Sequence, residues 1–227
     1  ANITIDYSSN LANVTATIPP NASKTFYQDS EGHTQPVFAA TITSDQPIVA
    51  SAIQESSQVM FAYTGFAGGV TEPVFPLINA NNSGYVSGVQ IQNAGNTATT
   101  VTLSYTPSPG NNMGAACTET QTIQPGASNT FALRAFALSE SGENCANGAR
   151  FVGSAKVTAN SASQPLVGVG NQLLPGVNGG AYVSFSPADA GEVVTMPLIM
   201  DRNGGYFTGF NVQNIGSSAT TVNCTYS

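Results

Sequence analysis

The chain carries a single histidine, His33, in the turn-like stretch Asp29-Ser30-Glu31-Gly32-His33-Thr34. A Ser-His-Asp hydrolase would need it as general base, yet no Gly-X-Ser-X-Gly motif accompanies it. A solvated loop histidine is the simpler reading. Carboxylates offer little more, because Glu119, Glu143, Asp189 and Glu192 are scattered along the chain. Asp201-Arg202-Asn203-Gly204-Gly205 looks faintly like a calcium loop but lacks the closing Glu, so a type I turn leading into a strand explains it better. Gly68-Gly69 and Gly179-Gly180 lack the Lys-Ser/Thr of a phosphate loop. These residues predict a protein that is not an enzyme, with no catalytic, cofactor-binding or metal-binding residues.

The remaining reactive groups suit covalent modification. Cys117 and Cys145 lie 28 residues apart in polar, Gly-rich surroundings, which suggests a loop-closing disulfide and an oxidising compartment. A reduced, inert pair is the other reading, and Cys224 is left over. Asn-X-Ser/Thr triplets at Asn2, Asn13, Asn21, Asn81 and Asn223 could each accept a covalent glycan. Lys24 and Lys156 are the only lysines that could form an intramolecular isopeptide bond, a use the sequence does little to favour.

The elements that must position these groups are β-strands. Charged residues make up only 7% of the 227 residues, against about 25% in an ordinary soluble domain, so Thr, Ser, Asn and Gln must wet the surface. With 23 Gly, 13 Pro and no Trp, short strands and tight turns are favoured. The net charge of −7 with five cations rules against nucleic-acid partners. No apolar run is long enough for a membrane-spanning helix, so no membrane insertion is expected. The N-terminus shows no signal-peptide pattern and already reads as a strand, which suggests a processed end or the edge of a longer chain.

Self-similarity is the strongest feature. Residues 76–105 (PLINANNSGYVSGVQIQNAGNTATTVTLSY) align without a gap on 197–226 (PLIMDRNGGYFTGFNVQNIGSSATTVNCTY) at an offset of 121. A gapped match covers the other part of the repeat. It sets Ile5-Asp6-Tyr7 on Leu103-Ser104-Tyr105 and Ile18–Phe26 on Ile123–Phe131. It also sets Gln46–Val49 on Gln164–Val167 and Tyr63–Phe66 on Tyr182–Phe185. The expected architecture is all-β: tandem immunoglobulin-like antiparallel β-sandwich repeats of about 120 residues. Residues 1–69 would be the back part of one repeat, 70–189 a complete repeat, and 190–227 the front part of another. The strand at 100–105 is represented three times, again at 2–7 and at 221–226.

Period-two alternation places strands around 86–91, 100–105, 120–123, 130–133, 153–159 and 166–172, with Asn93-Ala94-Gly95-Asn96 as a turn. Residues 206–226 should form an equivalent hairpin. Phe131–Ser139 is a weak helical signal, discounted here. Cys224 aligns with Leu103 and Ile5, so a buried core thiol is expected, with an intermolecular disulfide as the competing state.

The segments PLI…GGYFTGFNVQN.G..ATTV, I.PGAS.TF, FVGSAKVT…QPL.G..NQ and AYVSF resemble tandem immunoglobulin-like repeats in large secreted and cell-surface proteins of filamentous bacteria such as the Chloroflexota. The resemblance implies an extracellular or cell-surface structural role and transfers no catalytic motif. The expected partner is a second copy of the chain. The front part of one subunit would complete the back part of the next, giving a head-to-tail polymer joined by β-strand complementation. Ile3, Ile5 and Tyr7 with Val222, Cys224 and Tyr226 are the expected interface strands. Two other functions compete: a passive spacer in a longer repeat array, and a glycan-binding module using exposed aromatics near Tyr206 and Phe207.

Overall fold

The computed structural model describes every residue except Asn10, Ser30, Gln58, 133–143, Asn147, Ala162, Ser163 and Ser227. Most of the weak helical stretch, together with Leu133 and Glu143, lies outside the described residues. The described chain is all-β, with fifteen strands in antiparallel sheets and no α-helix.

At the N-terminus, β1 (Asn2–Tyr7), β2 (Val14–Thr17) and β3 (Ala40–Ser44) form a three-stranded sheet in the order β2-β1-β3. β4 (Ser51–Glu55) and β5 (Met60–Thr64) form a separate hairpin. Alternation along β1 turns Ile3, Ile5 and Tyr7 inward, where they are buried against Leu11, Val14, Phe26 and Phe38.

The middle of the chain is a sandwich of two four-stranded sheets. Its strands are β6 (Val74–Ala80), β7 (Val86–Asn93), β8 (Thr99–Pro107), β9 (Cys117–Ile123), β10 (Ser128–Phe131), β11 (Phe151–Ala159), β12 (Leu166–Leu174) and β13 (Asn178–Val183). One sheet runs β6-β11-β8-β9 and the other β10-β7-β12-β13. Each strand contributes inward residues to one core, for example Phe75, Ile91, Leu103, Phe131, Val157 and Leu166. β8 shows why: Val101, Leu103 and Tyr105 are buried, while Thr100, Thr102 and Ser104 lie on the other face. There Thr100 and Thr102 meet Thr122 and Thr120 of β9 through their hydroxyls. The N-terminal hairpin abuts this sandwich, with the Phe61 ring against Gly179, where a side chain would collide with it.

After a 3₁₀ turn at Pro187–Asp189 come two very short strands, β14 (Asp201–Asn203) and β15 (Tyr206–Phe207). Gly204 and Gly205 both take positive φ between them. The hairpin expected over 206–226 stops there, and residues 208–226 join no sheet. A strand needs a neighbour for its backbone N–H and C=O groups, and beyond the bond from Thr208 N–H to Met200 O no strand is paired with this segment.

Candidate functional site

His33 is not the solvated loop residue the sequence suggested. Its ring is half-buried, stacked on Phe38 at 4.0 Å between centroids and edge-on to Tyr7 at 5.0 Å. Its Nδ1 lies 2.6 Å from Ser9 Oγ and its Nε2 lies 2.8 Å from Gln28 Oε1. Gln28 Nε2 is committed to Tyr7 Oη and the Phe26 carbonyl, so its Oε1 accepts from Nε2–H. Nδ1 then accepts from the Ser9 hydroxyl. The pair resembles a hydrolase dyad in composition only, because Ser9 is fully buried and no substrate can reach it. The cluster seals one end of the small core around β1.

The other chemistry-bearing residues are dispersed. Glu119 is buried and accepts from Tyr105 Oη at 2.9 Å. Among the described residues no three His, Cys, Asp or Glu side chains converge as metal ligands. Lys156 is a half-exposed partner of Glu72 at 3.0 Å, and Lys24 lies over the Phe26 ring. Cys117 and Cys145 are joined in a disulfide, which ties the start of β9 to the segment before β11. Closing a loop of this length contributes on the order of 3–4 kcal/mol in the chain-entropy account. It also suits an oxidising environment. Asn2, Asn13, Asn21, Asn81 and Asn223 are all exposed. Asn2 is the poorest glycan acceptor of the five, because its Nδ2 donates to Asp45 at 2.7 Å and its Oδ1 accepts from Thr17. Those bonds from Asn2, led by the backbone N–H, hold the Asp45 carboxyl below its ordinary pKa.

The most informative surface is the unfilled side of the N-terminal segment. β1 pairs with β3 as β8 pairs with β11: Tyr7 faces Ala40 as Tyr105 faces Ala155, and Ile5 faces Ile42 as Leu103 faces Val157. Thr100 N–H donates to Asn160 Oδ1 at 3.0 Å, and Asn2 N–H donates to Asp45 Oδ1 at 2.7 Å. β4 pairs with β5 as β12 pairs with β13, with Ala52 opposite Tyr63 and Gly170 opposite Tyr182. Two neighbours differ. In the sandwich β11 also carries β6, and β12 also carries β7; β3 and β4 instead end their sheets. Ser23–Phe26, aligned with β10, forms no strand, and among the described residues no strand lies beside it as β7 lies beside β10.

Burial differs at the matching places. Val157, Leu166 and Val167 are 0%, 0% and 8% exposed, whereas Ile42, Ile48 and Val49 in the matching places are 37%, 39% and 100% exposed. The tail mirrors this. Phe75, Ile78 and Ile91 are 0–1% exposed, and their counterparts Met196, Ile199 and Val212 are 42%, 38% and 60% exposed. Burying one such side chain fully is worth about 1.5–3 kcal/mol. Val222 and Tyr226 are 55% and 69% exposed, and Cys224 is an exposed free thiol, not the buried core residue its alignment suggested. A core position is buried only when the opposite sheet is present, and here it is absent. β1, which holds Ile3, Ile5 and Tyr7, already has both edges hydrogen-bonded within its own chain. Tyr206 and Phe207 are exposed at the short hairpin.

One piece of the tail is already shaped. Asn93 bridges its own turn, with Nδ2 donating to Thr97 O at 2.8 Å and Oδ1 accepting from Gly95 N at 2.9 Å. Asn214 makes the same two bonds, to Ser218 O at 2.8 Å and from Gly216 N at 2.9 Å. In the sandwich that turn is held by Gln164, whose Oε1 accepts from Asn96 N and Thr97 N. Gln46, the counterpart of Gln164, is exposed. Likewise Tyr182 Oη donates to Leu77 O at 2.5 Å, while Tyr63 makes no such bond among the described residues. Burial pushes both hydroxyls above the ordinary tyrosine pKa.

No protein-family model matches the chain, and no curated protein matches it. Among solved structures it is similar to the crystal structure of Thermotoga maritima 1070, at 14% identity over 52% of this chain and 94% of that one, with a TM-score of 0.36.

Proposed function

We propose that the protein is an extracellular structural subunit that assembles head-to-tail by β-strand complementation. On this reading it is built of tandem immunoglobulin-like repeats of about 120 residues. Residues 70–189 form the complete one, and 1–69 and 190–227 are open parts awaiting a neighbour. The observation that carries it is the matched exposure. Ile42 of β3 and Ile48 just before β4 lie open where Val157 and Leu166 are core residues, and the tail bears, also open, counterparts of the apolar residues that pack there in the sandwich. Paired burial of several such side chains, added to the strand hydrogen bonds, would work against the cost of ordering the tail. Repeating one asymmetric contact gives an open fibre, and unpaired sheet edges have a use in such a protein instead of being an aggregation hazard. The disulfide supports placing it outside the cytoplasm.

Negative-stain electron microscopy of the concentrated, purified chain should show unbranched filaments with an axial repeat, dispersing on dilution. Uniform small particles at all concentrations would refute the proposal.

A second reading, a spacer within a longer array, is favoured by one feature. The place that Thr220–Tyr226 would take is filled by β1. Intact mass spectrometry of the native protein separates the two, since an array gives a much larger covalent mass.

A further inference from the structure

We infer that Thr195–Ser218 of one copy docks on the N-terminal segment of a second copy in one defined register. This rests on the assembly reading above and specifies its interface. The register follows from the sandwich, where β6 lies on β11 with Phe75 opposite Ala155, and β7 lies on β12 with Gln92 opposite Val167 and Ile91 opposite Gly168. Carried to aligned positions, Met196 faces Ala40 on β3. Gln213 then faces Val49, and Val212 faces Ala50, beside β4. The other edge of the incoming strand meets Ser23–Phe26, as β7 meets β10.

Three polar details support this register. The Asn214–Ser218 turn is preformed, so its seat on Gln46 needs no reorganisation of the loop. Gln46 Oε1 would accept from Ser217 and Ser218 N–H, as Gln164 accepts from Asn96 and Thr97. Tyr63 Oη would donate to Leu198 O, as Tyr182 donates to Leu77 O. The occupant is a second copy, because the chain's own tail is held elsewhere: Gln213 Nε2 donates to Ala155 O of β11 at 3.3 Å. That resting contact is imperfect, since Gln213 Oε1 is buried without a partner. The bond from Gln92 to Thr41 of β3 is long, 3.3 Å, and exposed, so it is a weak obstacle to the incoming strand.

The docked segment ends at Ser218. β1 already occupies the next position, with Ala1 N bonded to Ile18 O at 2.7 Å and Ile3, Ile5 and Tyr7 buried. Thr220–Tyr226 therefore stays outside the joint.

The test uses the full chain carrying Cys224→Ser, Val49→Cys and Gln213→Cys, oxidised after assembly. Directly opposed strand residues lie within disulfide reach, and residues two positions along do not. Non-reducing electrophoresis should show a ladder of covalent multimers, and Val49→Cys with Asn211→Cys should show at most a tenth as much. Assembly by sedimentation without a ladder, or a stronger ladder from the shifted pair, would overturn the register and leave the assembly reading standing. A crosslinked monomer would overturn the second copy as occupant. Absence of assembly before oxidation would overturn the assembly reading itself. As a cysteine-free check, Gln46→Ala should weaken assembly about tenfold through two lost hydrogen bonds. An unchanged assembly concentration would count against the seat on Gln46.

Discussion

Equimolar mixing of Ile48→Asp and Val212→Asp chains should give dimers and nothing longer. Ile48 is 39% exposed in the free chain, so a carboxylate there is solvated and the monomer fold is nearly unaffected. In the joint it takes the place of Leu166, which is fully buried. An unpaired charge buried there costs about 3–5 kcal/mol, more than a hundredfold in affinity. Val212, 60% exposed, takes the place of the fully buried Ile91, so Val212→Asp disables the tail in the same way. Each variant keeps one working end. The Ile48→Asp tail can enter the Val212→Asp acceptor, and no further joint can form. Sedimentation velocity should show monomers for each variant alone and a dimer boundary for the mixture. Long polymers of either variant, or a mixture that stays monomeric, would contradict the account.

The second large effect contrasts two matched positions. Phe75→Ala should destabilise the central sandwich by about 3–5 kcal/mol, because Phe75 is fully buried in the shared core. Met196→Ala, at the aligned position in the tail, should change monomer stability by less than about 0.5 kcal/mol, because Met196 is 42% exposed and forms no part of either core. Its effect should appear in assembly instead, as at least a tenfold higher concentration for half-polymerisation. Urea denaturation of dilute chains measures the first quantity, and sedimentation across a dilution series measures the second. Equal loss of monomer stability for the two substitutions would mean the tail is already packed within its own chain.

Much of the strand pattern was legible in the sequence, because alternation is a local property. Thr and Ser interleaved with Val, Leu and Tyr along 99–107 needed only a sheet to become β8. Of β9 the alternation showed only 120–123; the strand begins at Cys117, and Glu119 and Gln121 occupy inward places where apolar residues would have marked it. Their Thr neighbours facing Thr100 and Thr102 were the available signal. The tail shows the limit of the method. Residues 207–214 carry the pattern of β7, yet β7 is a strand because β10 and β12 flank it, and no pattern within a segment supplies its neighbours. Cys224 was misplaced for the same reason. His33 was misread because its partners, Tyr7 and Ser9, Gln28, and Phe38, come from three separate stretches of chain. The candidate joint itself was only half legible. The repeat pointed to the termini, but it pointed to β1, whose edges are filled. β3 and β4 became visible only once the pairing registers could be compared.

Amide hydrogen exchange through Gly209–Asn214 tests the central claim most directly. In dilute monomer these amides belong to no sheet and should exchange within seconds. In the assembled state the alternate amides directed at β4 should be protected for hours, while amides of Thr221–Tyr226 remain fast. Protection of 209–214 already present in the monomer, or none after assembly, would contradict the account.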